Sequence, residues 1–147
     1  MSTTPLQDLA TSLHNCQRCK LAKMGRTKVV FGVGNPHASV MFVGEAPGFN
    51  EDQQGEPFVG AAGKLLNVLL QSAGLSRSDI YIANVIKCRP PNNRDPEPDE
   101  VETCKPFLMQ QIAMIRPKLS ARWEIGRRKH CWNGRWGLQR FAARPST

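Results

Sequence analysis

The chain has 147 residues, 40% of them hydrophobic, and a formal net charge of +8. That length suits one domain with a substantial core, and no apolar run approaches the roughly 20 residues that a bilayer-crossing helix needs. The amino terminus, Met1-Ser2-Thr3-Thr4-Pro5, lacks the basic-then-apolar pattern of a signal peptide, so a cytoplasmic protein is expected.

Residues Pro5–His14 read as a helix, with Thr4 as N-cap and Leu6, Leu9, Ala10 and Leu13 on one face. Cys16-Gln17-Arg18-Cys19 follows. Lys28–Gly34 is short and extended, and Gly34-Asn35-Pro36 turns the chain. Ser39–Val43 has the composition of a buried strand. It runs into a glycine-rich loop, Val43–Gly60, that carries acid side chains and Phe58. Glycine lets backbone approach a ligand closely and Phe58 offers a flat apolar face, so the loop suits a planar ligand. It is neither of the common phosphate loops, because the Gly-x-Gly-x-x-Gly spacing and the Gly-Lys-Ser/Thr ending are both missing. Ala62–Ala73 is a predicted helix, with Leu65, Leu66, Leu69 and Leu70 at helical spacing and Gly74 at its C-cap. Asp79–Lys87 is a second buried strand, Cys88–Pro96 a proline-rich loop, and Asp99–Ile115 a third helix ending at Arg116-Pro117. Strands alternating with helices imply a parallel, helix-covered α/β sheet.

The charge is unevenly spread. Residues 1–115 carry 11 Lys/Arg and 11 Asp/Glu, whereas 116–147 carry nine Lys/Arg against Glu124 alone, so the whole excess sits in the tail. Trp123, Trp132 and Trp136 lie there too. Two readings of this basic, Trp-rich segment are a nucleic-acid arm and an accidental, poorly packed peptide.

Of the cysteines, Cys16 and Cys19 form a C-x2-C pair, Cys88 closes the second strand, Cys104 lies early in the third helix, and Cys131 falls in the tail. Free buried thiols are one reading; a metal site is the other, since a C-x2-C beside a helix end often holds metal. Spacing does not choose between zinc and an iron–sulfur cluster.

These motifs together resemble the family-4 uracil-DNA glycosylases, the iron–sulfur members of their superfamily. The likeness runs from about Leu13 to Lys118. It covers Cys16/Cys19, Gly44-Glu45-Ala46-Pro47-Gly48 with Glu51-Asp52, Pro57-Phe58-Val59-Gly60-x-Ala62-Gly63-x-Leu65-Leu66, Asn84-Val85-x-Lys87-Cys88-Arg89-Pro90-Pro91-x-Asn93-Arg94, and Cys104. The resemblance implies a three-layer α/β/α fold with a parallel sheet and incomplete C-terminal strands. It implies removal of uracil from DNA, as a monomer, with the deoxyuridine flipped out of the stack. Phe58 would stack on uracil and Asn84 would bond its edge. Gly44, Glu45 and Ala46 would contact it through backbone, and Asn50 would close the pocket. Glu51 or Asp52 would position water or stabilise the cationic sugar. Cys16, Cys19, Cys88 and Cys104 would hold a structural [4Fe-4S] cluster, and Lys87, Arg89 and Arg94 would lie near DNA phosphates. A catalytically dead, cluster-bearing DNA-binding fragment and a module like that of some phage-type polymerases are the alternatives.

The likeness stops near residue 118, which divides the chain into a partial glycosylase-like domain, 1–118, and an atypical tail, 119–147. The family continues with a strand, a helix and a His-Pro motif that stabilises the departing uracil anion. Here none of His14, His37 and His130 precedes proline. The expected explanation is a reading-frame shift near Leu119. Read one nucleotide back, Trp123-Glu124 becomes Leu, Met or Val followed by Gly, and the segment ending at Trp132 closes on Leu-Leu, the apolar pattern of a strand and helix.

Overall fold

The computed structural model describes residues 4–125 and 134–140, with backbone alone from residue 123 onward. Helix α1, Pro5–Ser12, begins in a capping box: the Gln7 amide donates to Thr4 Oγ1 at 3.2 Å and the Thr4 amide to Gln7 Oε1 at 2.9 Å. Then come β1 (Val33–Gly34), β2 (Val40–Gly44), α2 (Phe49–Gln54), α3 (Ala61–Ser72), β3 (Tyr81–Asn84), α4 (Pro98–Ile115), β4 (Leu119–Ile125) and β5 (Gly134–Arg140).

The sheet order is β1-β3-β2-β4-β5. The three central strands run parallel, as expected, while both edge strands, β1 and β5, run antiparallel to their neighbours. From β2 the chain passes to β3 on one side, then crosses back over β2 to β4. Right-handed crossovers in opposite directions place α3 and α4 on opposite faces. Packing follows the strand period of two. Met41, Val43, Tyr81 and Ala83 face Leu108 and Ile115 of α4, with Leu6 of α1 against them. The alternating Val40, Phe42, Ile80 and Ile82 face Leu66 and Leu70 of α3. This is a three-layer α/β/α sandwich.

Strand β3 is shorter than the sequence predicts. It ends at Asn84, where the chain bends away toward Cys88; the Val85 and Ile86 amides still donate to the Gly44 and Glu45 carbonyls, each at 2.9 Å. Helix α2 falls inside the segment read as a loop. Residues 119–125, placed by sequence with the tail, form β4, and Leu119 to Arg122 pair in parallel with Val40 to Val43. His130, Cys131 and Trp132 lie outside the described residues, as does the chain after Arg140.

Candidate active site

A cleft of about 270 Å³ opens at the carboxyl ends of β2 and β3, the place where chain order reverses about β2. One wall is the 45–63 loop and the start of α3; the other is the loop from Pro90 to Pro96. Gly44 and Asn84 are register partners at the floor. A methyl group built on Gly44 would lie 2.6 Å from the Phe58 ring and closer still to Asn84 Oδ1. An aromatic face and a side-chain amide therefore converge over one glycine. Both side chains are nearly fully buried, yet both line the cleft.

Phe58 sits in left-handed backbone, φ 54°, a conformation that costs free energy outside glycine. Arg77 holds it there. Its guanidinium donates to the Phe58 carbonyl, to Pro57 O at 3.3 Å and to Asn67 Oδ1 at 2.6 Å. Burial of the guanidinium pulls its pKa down, partly offset by Glu56. Gly63 lets α3 approach, since a Cβ there would collide with the Phe58 carbonyl. Arg77→Ala is expected to lower stability by about 1–3 kcal/mol, the scale of hydrogen bonds to a charged group, read as a shift of the urea midpoint.

The two acids proposed for chemistry part company. Glu51 lines the cleft and binds three amides: Gly48 N–H at 2.9 Å on one oxygen, Val59 N–H at 3.1 Å and Gly60 N–H at 2.9 Å on the other. It straps the two ends of the glycine-rich loop together. Asp52 does not line the cleft. It is buried, accepts the Thr27 and Lys28 amides at 2.9 and 3.2 Å, and its second oxygen has no partner among the described residues. Glu45, Ala46 and Asn50 line the cleft as expected.

The opposite wall was not anticipated as part of the pocket. Asn93 lines it in left-handed conformation, φ 53°, and Arg94 stands beside it. The sequence signal was Asn92-Asn93 after a proline pair, the residues that tolerate such a backbone. Arg94 grips the fully buried Glu100 through two bonds of 2.8 Å, and Glu100 also accepts the Glu97 amide at 2.8 Å. Arg94 thereby holds the Glu100 carboxyl below its ordinary 4.5, against burial, which raises it. A depressed folded value means that this stabilisation is complete above about pH 4.5 and is lost as pH falls through the folded value. Glu100→Gln is accordingly expected to destabilise the protein near neutrality and to converge on the parent as pH falls below the ordinary carboxyl value and through the depressed folded one, measured by urea unfolding at each pH.

Lys87 corrects an expectation. It is 2% exposed and cannot reach a phosphate. Its ammonium donates to the Asn84 carbonyl at 2.8 Å and to Gln111 Oε1 at 2.5 Å; burial pulls it down to about 7, with Cys104 opposing. Gln111 in turn donates to the Phe31 carbonyl at 2.9 Å.

Behind this floor, Cys16, Cys19, Cys88 and Cys104 line one small apolar cavity with Leu13, Val29 and Phe107. Among the described residues, no three His, Cys, Asp or Glu side chains converge closely enough to hold a single metal ion. Donors point at the sulfurs instead: Arg26 at Cys88 Sγ (3.4 Å), the Lys87 amide at Cys104 Sγ (3.3 Å) and Arg18 at Cys16 Sγ (3.7 Å). Burial pushes the Cys88 thiol up and Cys104 up to about 11. As free thiols these would stay protonated, and a bound metal's charge would make them thiolates. Four sulfurs around one cavity, faced by cationic and amide donors, fit an anionic multi-iron group.

A sequence model of the uracil DNA glycosylase superfamily matches residues 31–121. The chain is 56% identical over 114 residues to a Type-4 uracil-DNA glycosylase from Archaeoglobus fulgidus, covering 78% of this chain and 57% of that protein. To a Type-4 uracil-DNA glycosylase from Thermotoga maritima it is 48% identical over 112 residues, covering 76% and 58%. It is also 31% identical over 93 residues to a DNA polymerase of Bacillus phage SP01, covering 63% of this chain and 10% of the polymerase. The chain spans about half the length of the glycosylases it matches.

Proposed function

The chain belongs to the uracil DNA glycosylase superfamily, and from that premise we propose that it excises uracil from DNA by hydrolysing the N-glycosidic bond, in base-excision repair. The observation that carries this reading is the convergence of the Phe58 ring and the Asn84 amide over Gly44. The base enters the cleft only when flipped out of the stack. Phe58 stacks on the pyrimidine. Asn84 presents a donor and an acceptor together, which matches the edge of uracil and mismatches that of cytosine. Backbone at Gly44, Glu45 and Ala46 lines the base, and Asn50 closes over it. Glu51 keeps acceptor capacity on the oxygen that takes only the Gly48 amide, and that lone pair orients a water near the sugar. Asp52 acts through structure, holding the 27–28 backbone to α2.

Cys16, Cys19, Cys88 and Cys104 would hold a [4Fe-4S] cluster, which supplies no bond-breaking chemistry and staples the N-terminal segment to the chain after β3 and to α4. Uracil-containing DNA is the partner, bound by a monomer in the cytoplasm. Among the described residues no helix is long and apolar enough to cross a membrane. The test is incubation of the iron-loaded chain with a single-stranded oligonucleotide carrying one uracil. Alkali-labile abasic product is expected; its absence at protein in large excess overturns catalysis.

A further inference from the structure

Phe49, the first residue of α2, lines the mouth of the cleft with 54% of its surface exposed. An aromatic left this open gains little from the fold. It is nevertheless positioned. The Arg89 guanidinium lies over its ring, 5.3 Å from the centroid, and Arg89 Nε donates to Asn93 Oδ1 at 2.7 Å. Asn93 is itself a cleft residue, within 4.0 Å of where a Gly48 side chain would begin. Phe49, Arg89 and Asn93 thus bridge the two walls at the rim. The cations nearby differ. Arg94 is held by Glu100, and Lys87 is buried. Arg89 makes no ion pair among the described residues, so its remaining N–H groups and its charge are available at the surface.

An exposed ring backed by an unpaired guanidinium is the chemistry that binds single-stranded nucleic acid, with stacking on the ring and phosphate on the cation. We propose that Phe49 and Arg89 form the platform for the nucleotide next to the flipped one: its base stacks on Phe49 and its phosphate bonds Arg89. This rests on the uracil-excision reading, and it assigns the flanking strand to a rim distinct from the base pocket. Such stacking tolerates any neighbouring base, since every base has a π-face.

The test uses the iron-loaded chain and single-stranded oligonucleotides with 2-aminopurine placed on either side of one uracil. Binding should quench the 2-aminopurine on one side. Phe49→Ala should abolish that quench and raise KM for excision about tenfold, the scale of one stacked base, with a much smaller change in kcat. Phe49→Trp should restore both. Arg89→Met should flatten the dependence of log affinity on log salt by about one phosphate contact. An unchanged thermal midpoint in Phe49→Ala shows that the loss is not unfolding. A Phe49→Ala protein with the parental quench and KM overturns the platform. Parent protein that quenches in a Phe49-dependent way but releases no uracil supports the platform and sinks the excision reading instead.

Discussion

Gly44→Ala is expected to abolish the proposed uracil release while the protein remains folded. The backbone at this position is not in the left-handed region, so alanine is compatible with it. The conflict lies with the two side chains above. The new methyl would stand 2.6 Å from two carbons of the Phe58 ring and closer to the Asn84 amide. Neither has room to retreat. Phe58 packs with Leu66 and Ile82, and its carbonyl is clamped by Arg77. Asn84 is fixed by strand pairing on one side and by Lys87 on its carbonyl. The methyl must therefore displace the Phe58 ring, the Asn84 amide, or both. Misplacing a positioned group by about 1 Å costs on the order of 10²-fold in rate, and here two are moved, so a loss beyond 10³-fold is expected. Single-turnover release from a uracil oligonucleotide measures it. Activity within tenfold of the parent would show that the base does not lie over Gly44.

The second large effect concerns the cysteines. Cys88→Ala is expected to strip the proposed iron–sulfur chromophore and to destabilise the domain by on the order of 3–5 kcal/mol, as losing a native crosslink that closes a long loop does. The cysteine pair at 16 and 19, the residue at 88 and the residue at 104 are remote in sequence. The cavity they line is otherwise small and apolar, so truncating one ligand leaves the other three without a shared partner. Visible absorbance, iron content and thermal midpoint should fall together. Full iron content in Cys88→Ala would remove that residue from the ligand set.

The layers of the fold were legible because β2, α3, β3 and α4 each carry the hydrophobic period of their own structure. The Phe58 and Asn84 walls were legible from motif, but their convergence was not, since it depends on β2 and β3 being neighbours with Gly44 opposite Asn84. Asp52 was misplaced for a simple reason: adjacent residues on a helix point about 100° apart, so α2 turns Glu51 to the cleft and Asp52 into the protein. That helix was itself hidden, being six residues long and capped by Gly48, which has no side chain to signal it. Lys87 reads as a surface cation by type, and only the placement of Gln111 and the Asn84 carbonyl shows that the interior has donors' partners ready for it. Strand β4 carries Arg122 and Trp123, which mask it among the tail's basic residues.

Helix α4 carries three of the groups described above on its inward side: Glu100 under the cleft wall, Cys104 at the cysteine-lined cavity and Gln111 against Lys87. Glu100 and Cys104 are one turn apart, about 6 Å along the axis. A helix is stiff over that distance, so it behaves as a lever. It links the cysteine cavity, at Cys104, to the Pro90–Pro96 wall, through the Glu100–Arg94 ion pair. Loss of the proposed cluster is therefore expected to alter the width of the cleft, although the cysteines do not line it.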